Sequence, residues 1–203
     1  MDRLASLLPL LERRLREFGA PIADAFRPGA APGRVREALA AAGLDAHEDL
    51  VVWWGWHDGA EAVPAGSITS AETSLVSPWF MPTLEQAIRL RRERHAIYRE
   101  VAEGSDMAGL DASFPQSWLP VVTTELGSDL CADTAAAGPA PLHTISKEVE
   151  VSLDHFADLG EFVELILLAF EKGLVEPHPL EPRFLSFVWD DLPGDMRRLA
   201  TWP

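Results

Sequence analysis

The 203-residue sequence has only one cysteine, Cys131. A single cysteine cannot form an internal disulfide, and no paired cysteine and histidine spacing encodes a structural zinc site. Cys131 lies between Leu130 and Ala132, which is the setting of a small buried residue and not of a reactive thiol. We therefore expect a domain without disulfides and without a cysteine nucleophile.

Long hydrophobic runs are also absent. No apolar run approaches the roughly 20 residues that a membrane-spanning helix needs. Residues 4–11 are apolar, but residues 12–16 are mostly charged and no small-residue cleavage site follows, so we expect no secretory signal. The sequence therefore predicts a cytoplasmic protein that makes no membrane contact.

Basic residues are scarce relative to acidic ones. The chain has 17 Lys and Arg against 32 Asp and Glu, a net charge of −15. Such a surface repels nucleic acid and attracts basic partners, so we expect no nucleic-acid partner. Solubility alone would also explain the charge. With 47% hydrophobic residues, the chain can bury a sizeable core and does not resemble a disordered segment.

The motifs that identify common enzyme classes are missing. None of the six histidines belongs to a metal-ligand signature, and there is no Gly-x-Ser-x-Gly element, phosphate-binding loop or dinucleotide fingerprint. His143 lies in an apolar segment, where a histidine is usually a hydrogen-bonded core residue. We therefore expect no enzyme activity, no catalytic residue, no bound metal and no cofactor.

Five segments of the sequence show the periodicity of an amphipathic helix. Apolar residues recur at steps of three and four in residues 3–18, 33–42, 46–56, 84–103 and 152–172. Asp45 with Glu48, and Thr83 with Gln86, predict capping boxes for the third and fourth of these helices. The fourth helix carries Arg89, Arg91, Arg92 and Arg94 on a turn that should be exposed. This cluster is either a solvated face paired with local glutamates or a docking patch for an acidic partner.

The period changes to about two after residue 117. Residues 118–124 and 129–133 predict a β-hairpin, in which Pro120 should stand at an edge or a bulge. Residues 74–76, 142–145 and 147–151 predict further strands. Residues 174–203 are too apolar for a free tail, so we expect them to pack on the domain, with residues 184–188 as a strand or short helix.

Residues 51–59 form the most unusual stretch, because they contain three tryptophans and end in Trp56-His57-Asp58-Gly59. Two interpretations compete. The tryptophans are core anchors before an Asp-Gly turn, or His57 and Asp58 are catalytic or metal-binding. The structural interpretation is favoured, because a His-Asp pair alone lacks the nucleophile, third ligand or oxyanion donor that chemistry requires.

The order of these elements resembles the SUKH superfamily of Smi/Knr-type domains. The resemblance rests on residues 26–30, the Trp-His-Asp-Gly element, the capped helix at Thr83, the Trp-Leu-Pro element at 118–120, the hairpin and residues 142–145 and 152–156. It covers about residues 20–173. It implies one α+β domain over 1–203, with a mostly antiparallel central sheet, helices packed around it and residues 174–203 as a C-terminal extension. In such a domain, the fold-defining positions are Trp56, His57, Asp58, Gly59, Trp118 and Pro120.

The resemblance also implies a non-enzymatic function through protein contacts. Bacterial members are associated with immunity against polymorphic toxins, and fungal relatives are regulators. We therefore expect an immunity-type protein that binds a toxin domain, and the acidic charge suits a basic toxin. The alternative is a stand-alone regulator or scaffold with a non-toxin partner. Candidate contact groups are four acids expected to be exposed: Glu61, Glu125, Asp129 and Asp158.

Overall fold

The structure is a computed structural model that describes residues 3–62, 68–104, 114–145 and 151–199. These residues form six α-helices: α1 (Arg3–Glu17), α2 (Ile22–Ala25), α3 (Pro32–Ala41), α4 (Glu48–Trp56), α5 (Leu84–Gly104) and α6 (Leu159–Glu171). They also form eight strands: β1 (Ser74–Val76), β2 (Trp79–Phe80), β3 (Trp118–Thr123), β4 (Asp129–Asp133), β5 (Leu142–Ile145), β6 (Val151–Phe156), β7 (Val175–Pro177) and β8 (Leu185–Phe187).

The main sheet is an antiparallel meander. Strands β1 to β6 pair in chain order, while β7 and β8 form a separate two-stranded sheet. The predicted α+β fold with an antiparallel central sheet is confirmed. Pro120 lies in β3, between β2 and β4, and the β3–β4 register shifts between Pro120 and Val122. The shift fits the absence of an N–H on proline, which a regular ladder would require.

Two helices illustrate how the pattern produces the packing. In α1, Leu4, Leu8, Leu11 and Leu15 are fully buried, because steps of three and four place them on one face against α6. At the start of α5, the predicted capping box is confirmed. The Thr83 N–H donates to Gln86 Oε1 at 2.8 Å, and the Gln86 N–H donates to Thr83 Oγ1 at 3.1 Å.

The capping box predicted at Asp45 is wrong. Helix α4 begins at Glu48, two residues later than expected, and its N-cap is His47 without a side-chain cap. The His47 carbonyl accepts the first helical hydrogen bonds, from the N–H groups of Leu50 and Val51. Asp45 remains outside the helix, because its own carbonyl accepts from the His47 N–H at 3.2 Å.

The predicted start of the last helix is also wrong. Residues 151–156 form β6, which pairs with β5, and α6 begins only at Leu159. The actual cap is Asp158, whose Oδ1 accepts from the Glu161 N–H at 2.7 Å, while Glu161 Oε2 accepts from the Ala157 N–H at 2.6 Å. This arrangement resembles a capping box, except that the Glu161 carboxylate accepts from the residue before the cap and not from the cap itself. Of the predicted strand 147–151, residues 147–150 lie outside the described residues.

Short elements were missed because their sequences carry too few residues for a period. Helix α2 and strand β2 lie in segments for which the sequence predicts no helix or strand, and β7 lies in the C-terminal extension. Residues 184–188 do contain a strand, β8. Leu185, Phe187, Leu192, Met196 and Leu199 of the C-terminal extension are buried in the main core. The Trp79 Nε1–H also donates to the Leu199 carbonyl at 2.8 Å. Trp202 lies outside the described residues.

The arginine-rich turn of α5 is not uniformly exposed, which corrects the expectation from the sequence. Arg91 is buried and donates to the carbonyls of Ala42, at 3.4 Å, and Gln116. Arg94 forms an ion pair with Asp129. Among the expected pairs with local glutamates, the pair of Arg89 with Glu93 is present at 3.6 Å. Arg91 and Arg94 are therefore structural.

The tryptophans of α4 divide between core and surface. Trp53 and Trp54 are fully buried, and the Trp54 Nε1–H donates to the Pro82 carbonyl at 3.3 Å. Trp56 is only half-buried, packed against Phe26 with ring centroids 5.0 Å apart. Residues two positions apart on a helix point about 200° from one another, so Trp56 cannot share the inner face with Trp54. The expectation that Trp56 is a full core anchor is corrected.

This division predicts different costs for two substitutions. Trp54→Ala should lower the free energy of unfolding by about 4 kcal/mol, because it opens a large cavity in the core. Trp56→Ala should lower it by about 2 kcal/mol, since part of that ring already contacts solvent. Urea unfolding followed by circular dichroism measures both. Equal losses would contradict the finding that Trp54 is fully buried while Trp56 is only half-buried.

Candidate functional site

The Trp-His-Asp-Gly turn joins the end of α4 to the start of α5. After Trp56 the backbone becomes extended at His57 and then turns at Asp58 and Gly59. Asp58 is buried, and its Oδ1 accepts the Leu84 N–H at 2.8 Å. The negative carboxylate therefore satisfies a free N–H in the first turn of α5 and opposes the positive end of its dipole.

Gly59 is required at this turn for two reasons. Its φ is +70°, a conformation that side chains with a Cβ rarely adopt. A Cβ built on Gly59 would lie 2.8 Å from the Thr83 backbone nitrogen and 2.8 Å from Thr83 Cγ2. The turn therefore fits against α5 only with glycine at this position.

His57 is bonded through both ring nitrogens. Its ring stacks on Phe26, with centroids 4.0 Å apart and planes 5° apart. Nδ1 lies 2.9 Å from the Arg27 carbonyl, and Nε2 lies 3.2 Å from Glu12 Oε2. Each ring nitrogen therefore faces an oxygen atom from another part of the chain. The imidazole thus joins α1, α4 and the loop after α2, and neither nitrogen is left for a substrate or a metal.

Glu12 collects three donors at this junction. Its carboxylate accepts from Arg16, from Trp56 Nε1 at 3.3 Å and from His57. Burial would raise the pKa of Glu12, but the hydrogen bonds from Arg16, His57 and Trp56 outweigh burial and leave the pKa below its usual value of 4.5. The ionised carboxylate therefore stabilises the fold.

Trp118 and Pro120, the other two residues predicted to define the fold, lie in strand β3. Trp118 is buried and its ring stacks on His143, with centroids 4.6 Å apart. Trp118 belongs to a small second core with Tyr98, Phe114, Cys131 and Ile145. Cys131 is fully buried, and burial raises the pKa of its thiol well above the usual value. A thiol in that setting stays protonated, so Cys131 is packed as a small apolar residue.

One candidate contact residue, Asp129, is not exposed. Its side chain is buried and accepts from Arg94 Nε at 2.5 Å, from Arg94 Nη2 at 3.2 Å and from Thr123 Oγ1 at 2.6 Å. This bidentate ion pair compensates the charges of Arg94 and Asp129 inside the protein. The prediction that Asp129 is an exposed partner contact is therefore wrong. Its side chain links α5 to β4 through Arg94.

The other three acids differ in their surroundings. Asp158 is half-buried, caps α6 and lies 3.6 Å from Arg3 Nη1, so its role is also structural. Glu61 and Glu125 are exposed, as expected. Glu61 follows the motif turn, and Glu125 lies in the tight turn between β3 and β4.

Glu125 adjoins an apolar surface that the sequence did not reveal. Leu126 is 63% exposed and Trp189 is 46% exposed. Both line a depression of about 230 Å³, together with Ser77, Pro78, Phe80, Thr124 and Glu125. An adjoining depression of about 230 Å³ shares Ser77 and Glu125 and adds His178, Glu181 and Phe184. We call these two depressions the Trp189 face. Trp189 was expected to pack on the domain, and no local pattern marks it as exposed.

Two further structural findings bear on chemistry. Across the described ranges, no group of three or more His, Cys, Asp or Glu side chains is arranged to hold a metal ion. Within the same ranges, every helix is too short or too polar to cross a membrane. The Trp-His-Asp-Gly residues contribute to the fold through the contacts of His57 and Asp58.

The motif geometry predicts the effect of Gly59→Ala. It should lower the free energy of unfolding by about 3 kcal/mol, from backbone strain plus the clash with Thr83. Gly43→Ala is the matched control, because Gly43 has φ +73° and nothing within 4 Å of the added Cβ. The control should cost only about 1 kcal/mol. Thermal melts of both variants would refute the clash if the losses were equal.

The hydrogen bonds at Glu12 predict a pH dependence. A folded pKa below the unfolded value means that the carboxylate stabilises the protein above about pH 4.5, and that this stabilisation disappears as pH falls through the folded pKa. Glu12→Gln should therefore lower the free energy of unfolding by about 1 kcal/mol at pH 7, and the difference should shrink by pH 3.5. Urea midpoints at both pH values measure it. Glu17→Gln, which removes a more exposed carboxylate of α1, is the control and should have little effect.

Comparison with known proteins gives no relative on which to base a function. No protein-family model matches the chain, and no curated protein matches it. The resemblance to the SUKH superfamily therefore remains a prediction from the motifs. Any functional conclusion for this chain must come from its surface, charge and packing.

Proposed function

We propose that this chain is a non-enzymatic protein-binding domain, and specifically an immunity-type protein that binds and neutralises a basic toxin domain. The Trp189 face is the observation that carries the proposal. Trp189 is large and rigid, and together with the neighbouring Leu126 it leaves apolar area in contact with solvent. Exposed apolar surface of this kind is typical of protein interaction sites, and tryptophan is enriched among residues that dominate binding energy.

The charge around the Trp189 face selects the kind of partner. Glu125 borders both depressions, and Glu181 lines one of them. Asp190 and Asp191 are exposed and follow Trp189 directly. With a net charge of −15 on the whole chain, this arrangement attracts a basic protein and accelerates its association.

The non-enzymatic part of the proposal is supported by the motif residues. His57 is bonded to Arg27 and Glu12, and Asp58 is bonded to the start of α5. Both side chains that could have formed a catalytic pair serve in holding helices together. We therefore propose that the protein functions through the Trp189 face, and we propose no reaction at the Trp-His-Asp-Gly turn.

The test compares capture by three forms of the tagged protein in lysate from the source organism: wild type, Trp189→Ala and Ile97→Ala. Ile97 is the control, because it is 44% exposed and lines neither depression. A captured protein is then purified for affinity and inhibition measurements. We expect a basic toxin domain that the wild type inhibits at equal stoichiometry. Trp189→Ala should weaken binding about thirtyfold, equivalent to about 2 kcal/mol, and Ile97→Ala should not.

The alternative function, a stand-alone regulator or scaffold, differs in the outcome of the inhibition assay. A partner that binds through the Trp189 face but has no toxic activity would support the regulator and refute immunity. An acidic partner, or one whose affinity is the same for the Trp189→Ala variant, would refute the proposed binding face. Raising the salt concentration should slow association with a basic partner, because screening weakens the long-range attraction.

A further inference from the structure

A second concave surface of opposite charge lies on α3, α5 and the loop after α2. It is a cavity of about 430 Å³, lined by Arg27 from the loop, Arg34 from α3, and Arg89 and Arg92 from α5. The whole chain has only 17 basic residues against 32 acidic ones. Four arginines from three parts of an acidic chain therefore converge on one cavity.

Most of these arginines lack a carboxylate partner. Within the part of the chain that the structure describes, the side chains of Arg27, Arg34 and Arg92 form no hydrogen bond or ion pair, while Arg89 contacts Glu93 at 3.6 Å. By contrast, Arg36 on the same helix as Arg34 binds Glu48 at 2.8 Å. Unpaired like charges in one concavity repel one another, and an anion would relieve that repulsion.

The start of α5 does not itself supply the anion site. The N–H groups of Thr83, Leu84 and Gln86 are already bonded to Gln86, Asp58 and Thr83. With these three N–H groups already bonded, we expect the guanidinium groups to hold an anion in the cavity. Such groups bind phosphate and carboxylate through two parallel hydrogen bonds.

The remaining lining limits what could bind. Asp58 and Glu85 contribute two negative charges against the four positive charges, which leaves the cavity positive overall. Ala38 and Ile88 add apolar surface. The volume falls in the range of small-molecule sites. A ligand with at least two negative charges and a small apolar part would match this lining.

We propose that this cavity binds a small molecule carrying two or more anionic groups, phosphate or carboxylate, held by Arg34 and Arg92 and packed against Ala38 and Ile88. The cavity shares no lining residue with the Trp189 face. The proposal is thus independent of the proposed protein partner. Binding would join α3 to α5 and would stabilise the folded chain, because the ligand binds only the folded state.

The experiment titrates the full chain with pyrophosphate and with citrate at constant ionic strength, by calorimetry and by thermal melts. We expect saturable binding of at least one probe and a higher melting temperature. Arg34→Gln and Arg92→Gln should each weaken binding at least about tenfold, the loss expected for one charge-assisted contact. Arg13→Gln, on the outer face of α1, is the control and should leave binding unchanged.

The outcomes separate the two anion chemistries. Binding of pyrophosphate alone identifies a phosphate ligand, binding of citrate alone identifies a carboxylate ligand, and binding of both identifies a site for multiple charges. All three support the proposal when Arg34→Gln and Arg92→Gln weaken binding. Absence of saturable binding at millimolar probe, or equal affinity in Arg34→Gln, Arg92→Gln and the wild type, would overturn it. Melts without probe confirm that the variants fold.

Discussion

The hydrogen bond from the Leu84 N–H to Asp58 is the contact on which the junction between α4 and α5 depends. It fixes the end of α4 to the start of α5, and Gly59 allows the close approach to Thr83 that this requires. His57 extends the same junction to Glu12 on α1. Three helices distant in sequence thus share one small polar network, in which removing one member would leave another buried or half-buried group unsatisfied.

The arginines of α5 lie in two different environments, the protein interior and the cavity beside α3. Arg91 and Arg94 face inward, where carbonyl groups and the Asp129 carboxylate compensate their charges. Arg89 and Arg92 face the cavity beside α3. Burial, followed by the charge of nearby Arg92, lowers the pKa of Arg91. Arg34 and Arg92 have no carboxylate partner among the described residues, so an anion bound between them would offset their mutual repulsion.

The two proposed binding surfaces differ in charge and shape, and each suits a different kind of partner. The Trp189 face combines exposed apolar side chains with acidic neighbours and suits a basic protein. The arginine-lined cavity is smaller, concave and positive, and suits a small anion. Neither surface uses the Trp-His-Asp-Gly turn as a reactive group, although Asp58 contributes to the cavity lining. The Trp-His-Asp-Gly motif is thus chiefly structural, because its Asp58 joins the end of α4 to the start of α5.

The sequence by itself determined the fold class, the β3–β4 hairpin, strand β5 and the capping box at Thr83, because these features depend on periodicity and on residues three positions apart. Tertiary structure alone decided that Asp129 is buried and paired with Arg94, and that Trp189 faces solvent. It also brought Arg27, Arg34 and Arg92 to one cavity. Periodicity shows which side chains share a face of an element, but the neighbour that covers that face comes from distant parts of the chain.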